Sequence, residues 1–106
     1  MRGNHLGEFE ELVLLAVASL QGEAYGNAIQ QVLAEEAQRQ VKLSTVHVAL
    51  QRLEEKGLLR SAFGEATPER GGRRKRYFEV TAAGIASLKA TQAIREHMWN
   101  LIPNQL

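Results

Sequence analysis

The chain has 106 residues, with 13 Lys and Arg against 12 Asp and Glu, a formal net charge of +1, 44% hydrophobic residues and no cysteine. That length supports one core and little more, and the composition is that of a folded globular domain. The missing cysteine excludes a disulfide framework and thiolate metal sites. The longest apolar run, Leu12 to Ala18, is too short to cross a bilayer.

The polar start Met-Arg-Gly-Asn-His runs into acidic residues and does not read as a secretory signal, so the expected location is cytoplasmic. Glu8 to Leu20 reads as a first helix: acids fill the opening turn, apolar residues follow, and Gly22 lies just past the end. From Leu12 to Ala18 this helix is apolar on every side, whereas a helix on the outside of a domain shows one stripe. Leu12 and Leu15 therefore fall on a surface that a small monomer has little left to cover, and a homodimer is expected. Gly26 to Arg39 reads as a second helix, with Ala28, Ile29, Val32 and Leu33 inward and Gln30, Gln31, Glu35 and Gln38 outward. Ser44 is placed as the N-cap of a third helix, Thr45 to Lys56, which Gly57 ends.

Leu58 to Gly64 and Lys75 to Val80 read as two strands joined by a loop, with Pro68 and Gly71-Gly72 supplying the turn. In the second strand Phe78 and Val80 share one face and Tyr77 and Glu79 the other. Thr81 then caps a last helix that runs to about Ile102, before Pro103. Three helices, a hairpin and a helix make the order of a winged helix-turn-helix: mainly α with a small β-hairpin wing. The expected division is a DNA-binding winged helix over residues 1–80 and a C-terminal dimerisation helix over 81–106.

The charge distribution says more than the sum. Residues 41–80 carry nine basic and five acidic side chains, which leaves the rest of the chain net acidic. Arg70, Arg73, Arg74, Lys75 and Arg76 fall within seven positions, beside Gly71-Gly72, where the backbone is free to approach a ligand closely. A dense negative partner is the simplest reason to concentrate charge in this way, and a phosphate backbone is the commonest such partner. One or more of these cations entering a narrow minor groove is a second role open to the wing.

The helix just before the wing turns Val46, Ala49, Leu50 and Leu53 to one side. The opposite side holds Ser44, Val48, Gln51 and Glu55, with Thr45 and Arg52 on one flank and His47 on the other. Gln pairs with adenine, Val and Thr pack on a thymine methyl, and Ser and Thr reach bases or phosphates. Glu54 and Glu55 repel phosphates, so the N-terminal half of the helix is expected in the major groove of double-stranded DNA. A protein-interaction winged helix gripping an acidic protein partner fits the same basic surface, and competition by random duplex separates the two readings. Catalysis and cofactors are not expected. His5, His47 and His97 lack ligand spacing, neither a nucleophile elbow nor a phosphate-cradling glycine motif is present, and Ser44 with His47 has no third partner.

Four segments carry a family likeness: Leu-Gly-Glu-Phe-Glu (6–10), Ala-Tyr-Gly (24–26), Leu-Gln-Arg-Leu-Glu-Glu-Lys-Gly-Leu-Leu (50–59) and Glu-Arg-Gly-Gly-Arg-Arg-Lys-Arg-Tyr-Phe (69–78), the last followed by Val-Thr-Ala-Ala-Gly (80–84). Over nearly its whole length the chain resembles the PadR-like transcriptional regulators. The resemblance implies a winged-helix dimer that represses its own or a neighbouring operon and that a small-molecule or stress signal releases from DNA. The short C-terminal segment is similar to the compact subgroup, in which a single final helix makes the dimer. His47 stands where relatives commonly carry Tyr, and its imidazole either retains one hydrogen bond or adds pH sensitivity near neutrality. Tyr25 either anchors a phosphate beside the helix start at Gly26 or packs there.

In the last helix Ile85 and Leu88 are expected to close the domain core. Ile94, Met98 and Leu101, with Trp99 and Ile102 alongside, have no domain left to bury them and are assigned to the dimer seam. Some multidrug-sensing relatives stack flat aromatic ligands between paired tryptophans on this helix. Counted from Thr81, Trp99 falls about one turn later than theirs, so Met98 and Trp99 read either as dimer core or as a small apolar effector pocket.

Overall fold

The computed structural model describes residues 6–64 and 74–103. Their elements are α1 (Glu8–Leu20), α2 (Gly26–Glu36), α3 (Leu43–Glu55), β1 (Leu59–Phe63), β2 (Arg76–Val80) and α4 (Ala82–Asn100). This is the order expected from the sequence, mainly helical with one antiparallel hairpin.

α1 is the centre of the fold. Glu8, Glu10 and Glu11 sit in its first turn, where the helix dipole favours negative charge, and the chain leaves it through Gln21 and Gly22, both at positive φ. Val13, Leu14, Ala16 and Val17 are buried against α2, α3, β2 and α4. Ile29 and Leu33 of α2, Val46, Leu50 and Leu53 of α3, Leu59 of β1 and Phe78 of β2 complete one continuous core.

Several boundaries differ from the sequence reading. α2 ends at Glu36 instead of Arg39, because Gln38 turns the chain at φ 55 and the Arg39 N–H donates to the Leu33 carbonyl at 2.9 Å. On its outward face Gln30 is half-buried and donates through Nε2 to the Val41 carbonyl at 2.8 Å. Ser44 is not the cap of α3. Lys42 holds that position, its carbonyl accepting from the N–H groups of Thr45 and Val46, while Leu43 packs beside Gly26 and so enters the helix. Ser44 lies inside the first turn, exposed.

The end of α3 follows the expected pattern. Gly57 adopts φ 79, its N–H donates to the Glu54 carbonyl, and the Leu58 N–H donates to the Leu53 carbonyl, both at 3.0 Å. β1 and β2 pair in the register Leu59↔Val80 to Phe63↔Arg76, and a bond from the Gly64 N–H to the Lys75 carbonyl extends the ladder. On its other edge β2 receives the α1–α2 connection, through the Phe78 N–H and the Ala24 carbonyl at 2.8 Å.

Thr81 caps α4 as expected, its Oγ1 accepting from the Gly84 N–H at 3.1 Å and donating to the Gly57 carbonyl at 2.7 Å. α4 ends at Asn100, two residues before the expected Ile102. Its docking residue is Gly84, and only Leu88 of the two expected core residues packs partly buried against the core. Ile85 is 39% exposed, because Gly84 is the residue that points at the Leu58 carbonyl and the Val80 side chain. Farther along, the helix leaves the core behind, and Arg95 ties it to Glu11 of α1 by an ion pair at 2.7 Å.

A Cβ at position 84 would stand 2.3 Å from the Leu58 carbonyl oxygen and 2.6 Å from Val80 Cγ1. Because the first obstacle is backbone, Gly84→Ala is expected to destabilise the fold by about 1–3 kcal/mol. Urea unfolding of the wild-type and variant chains measures this directly.

Candidate nucleic-acid interface

The outward side of α3 is continuous and solvent-facing. Ser44, Thr45, His47, Val48, Gln51 and Arg52 are all exposed, and Val48, an apolar side chain, is 51% so. The sequence period dictates this, since Val46, Ala49, Leu50 and Leu53 take the opposite side into the core. Gln51 donates to Glu55 at 3.3 Å along the helix surface, an exposed contact that a ligand can replace. Thr45, Val48 and Arg52 border an open groove of about 690 Å³ that runs toward Glu8 and Glu10 at the start of α1.

His47 is less free than its exposure implies. Its Cε1 and Nε2 lie 2.9 and 3.0 Å from where a Cβ on Gly26 would stand, so the imidazole rests on the first residue of α2. Glycine at that position makes the contact possible.

The base of the wing is an aromatic and cationic cluster. Tyr25, the N-cap residue of α2, meets Tyr77 of β2 edge to face, with ring centroids 5.7 Å apart. The Lys75 ammonium lies 3.9 Å from the centre of the Tyr25 ring. Gly64 makes room for the Tyr77 ring, which a Cβ there would approach to 2.6 Å. Arg74 donates through Nε to the Gly64 carbonyl at 2.9 Å and places its guanidinium 5.5 Å from the Phe63 ring centre. Arg76 lies near the same ring and reaches α3, pairing with Glu54 at 3.0 Å and donating through Nε to the Ser61 hydroxyl at 2.9 Å.

Of the residues singled out in the sequence, His47, Gln51 and Arg76 meet at the α3–hairpin cleft, Thr45, Val48 and Arg52 border the groove toward α1, and Lys75 lies on Tyr25. Arg70 and Arg73, with Pro68 and Gly71-Gly72, lie outside the described residues. The dimer-seam candidates stand elsewhere: Leu15, Ile94, Met98, Trp99 and Leu101 are exposed on α1 and α4, while Leu12 and Ile102 are half-buried. Sequence reasoning missed three members of the wing base. Phe63 is 58% exposed beneath Arg74, and Glu54 and Ser61 hold Arg76. Phe63 is visible as an apolar residue near the basic run, but its partner across the hairpin depends on the strand register.

The model for the Transcriptional regulator PadR-like family matches residues 14–90. The chain belongs to that family. A PadR-like transcription factor from Bacteroides fragilis is 26% identical, covers 88% of this chain and 84% of its own, and superposes with a TM-score of 0.74. A PadR family transcriptional regulator from Eggerthella lenta is 25% identical over 92% of this chain and 88% of its own, with a TM-score of 0.66. A transcriptional regulator from Clostridium thermocellum shares the fold at a TM-score of 0.69 and 24% identity, covering 87% of this chain and 86% of its own. No curated protein sequence matches. As a family member the chain is a DNA-binding regulator of transcription and not an enzyme. Among the described residues, no helix is long and apolar enough to cross a membrane.

The Tyr25 cluster joins the start of α2 to β2, beside the hydrogen bond from the Phe78 N–H to the Ala24 carbonyl. Edge-to-face aromatic pairs contribute about 0.5–1.5 kcal/mol and exposed cation–π contacts about 0.5–1 kcal/mol. Tyr25→Ala is therefore expected to lower stability by about 1–2 kcal/mol, and Lys75→Met by less than half of that. Denaturant midpoints of the two variants test the order.

Proposed function

We propose that this PadR-like chain is a homodimeric, sequence-specific repressor of its own or a neighbouring operon, acting in the cytoplasm and released from DNA by a small-molecule or stress signal. The observation that carries the DNA reading is the exposed side of α3, whose His47 rests on Gly26 beside Tyr25, the residue that Lys75 of the wing base covers. Residues 1–80 form the reading unit. Ser44, Thr45, His47, Val48 and Gln51 face the base edges in the major groove, while Arg52, Tyr25, Arg74 and Lys75, with Arg70 and Arg73 of the loop, bind phosphate.

Residues 81–106 serve as the dimerisation segment. Ile94, Met98 and Trp99 of α4 and Leu101 at its C-cap are each more than half exposed, C-terminal to Gly84 and Leu88, which dock the helix. Exposed apolar side chains so close together in sequence support a partner surface, and Leu12, Leu15 and Ile102 extend it. Met98 and Trp99 form core in that seam, and an apolar effector binding between the two copies would displace them from each other.

The experiment is a titration of purified chain against duplex from upstream of its own gene, with random duplex as competitor. Retarded complexes that persist, at two protomers per site, support the reading. Complexes that random duplex removes entirely leave a generic basic surface and turn the search to an acidic protein partner. Replacing both Arg73 and Arg74 by Ala is expected to weaken binding to every duplex and to lower the salt slope by about 0.9 for each phosphate that is no longer neutralised. Gln51→Ala should instead alter the preference among sequences, by about 1–3 kcal/mol at one base pair. For the dimer, Ile94→Glu with Trp99→Glu is expected to give a folded monomer in sedimentation equilibrium, and an unchanged dimer would remove α4 from the seam.

A further inference from the structure

We propose that Arg76, although part of the basic run, is withheld from DNA: Glu54 and Ser61 hold it as a latch that sets the wing against the recognition helix, which makes Glu54 a positioning residue for DNA reading. The Arg76 guanidinium is constrained from several directions at once. One edge donates to Glu54 Oε1 at 3.0 Å and to the Ser61 hydroxyl at 2.9 Å. Ser61 in turn donates to Glu54 Oε2 at 2.7 Å, so the carboxylate uses both oxygens on the latch. The Phe78 and Phe63 rings lie 5.5 and 5.8 Å from the guanidinium carbon. Three elements, α3, β1 and β2, thus meet on one planar group.

An isolated exposed ion pair holds little, and Arg76 and Glu54 are 50% and 31% exposed. The hydroxyl and the two rings are what distinguish this pair, because they fix a planar group that would otherwise sample many rotamers. Arg74 is built differently. It anchors through Nε to a backbone carbonyl, and its terminal nitrogens make no hydrogen bond to a described residue. One arginine is presented and the other is spent on geometry.

The latch also answers an electrostatic problem in α3. Glu54 lies on the cleft between α3 and the hairpin, with His47 and Gln51 on the same cleft. An uncompensated carboxylate there would repel the phosphates that Arg74 and Lys75 attract. Paired with Arg76, it presents no net charge, and the two arms of the reading head keep a fixed angle.

The inference rests on the DNA-binding reading for one arm of its test and stands without it in the other. In the free, 15N-labelled full chain, the Arg76 Nε–H is expected to exchange slowly with water, to lose that protection in Ser61→Ala, which removes its acceptor, and to lose part of it in Glu54→Gln. Exchange as fast as that of Arg52 in the wild-type chain overturns the latch. In the second arm, affinity for random duplex is measured across a salt series. Arg74→Gln should lower the slope by about 0.9 per wing, while removing both partners of the latch, Glu54→Gln with Arg76→Gln, leaves it unchanged. Arg76→Gln should instead reduce the preference for the upstream duplex over random duplex by about tenfold, the scale of one base contact. Glu54→Gln frees Arg76 for phosphate and steepens the slope by about 0.9, and adding Arg76→Gln reverses that gain. A chain carrying both Glu54→Gln and Arg76→Gln whose slope falls as far as that of Arg74→Gln overturns the proposal. A wild-type chain that binds no duplex refutes the proposed function alone, and the exchange measurement then decides the latch.

Discussion

The turn at Gly57 and Leu58 is the constraint on which the other elements depend. Its two N–H groups close α3, its two carbonyls receive the hydroxyl and the N–H of Thr81, and the Leu58 carbonyl lies against Gly84. One two-residue turn thereby ends α3, starts the hairpin and seats α4. Gly57 adopts φ 79, which a side chain would strain, and Gly84 approaches the Leu58 backbone more closely than any Cβ allows. Backbone hydrogen bonds thus bring α3 and the hairpin together at their shared end. The side-chain contacts around Arg76 and Tyr25 act farther along the hairpin.

On that scaffold the basic charge is distributed unevenly. Lys56 pairs with Glu10, Arg60 with Glu79 and Arg76 with Glu54, so part of the excess cation over residues 41–80 is neutralised locally. Such surface pairs add little to stability. Their effect is on the field. Arg52, Arg74 and Lys75 have no carboxylate partner among the described residues, and all three border the exposed side of α3 or the wing base. A net charge of +1 hides this local surplus, which is where an approaching polyanion would feel it.

Much of this was legible in the sequence, for reasons that differ by element. α1 is readable to the residue because acidic first turn, apolar body and terminal glycine agree. The inward and outward sides of α3 follow from periodicity alone, and Thr81 declares its capping role. The end of α2 is hidden, since Gln38 takes a left-handed conformation that the sequence usually signals with glycine or asparagine. The start of α3 is hidden for another reason: packing of Leu43 at Gly26 overrides the capping preference of Ser44. Composition announces the wing cations but not their fates. Whether Arg76 faces α3 depends on the hairpin register, Phe63↔Arg76 and Ser61↔Phe78, and two strands so far apart in sequence do not announce their register.

The same distinction between fixed and unfinished surfaces governs α4. Its first turns are held by Thr81, Gly84 and Leu88, whereas beyond them the Arg95–Glu11 ion pair is its one salt bridge to the rest of the described chain. Glu11 is itself only 14% exposed, so that contact is the better ordered end of the pair. Met98, Trp99 and Leu101, which follow Arg95, are each more than half exposed among the described residues, and burying such a side chain fully contributes up to about 1.5–3 kcal/mol. In the proposed dimer, then, the surface that gains most from a partner is joined to α1 by a charge contact and to α3 through the Gly57–Leu58 turn. A change in how two copies of α4 pack would be felt at the recognition helices through those connections, because the elements between them are closely packed and do not deform continuously.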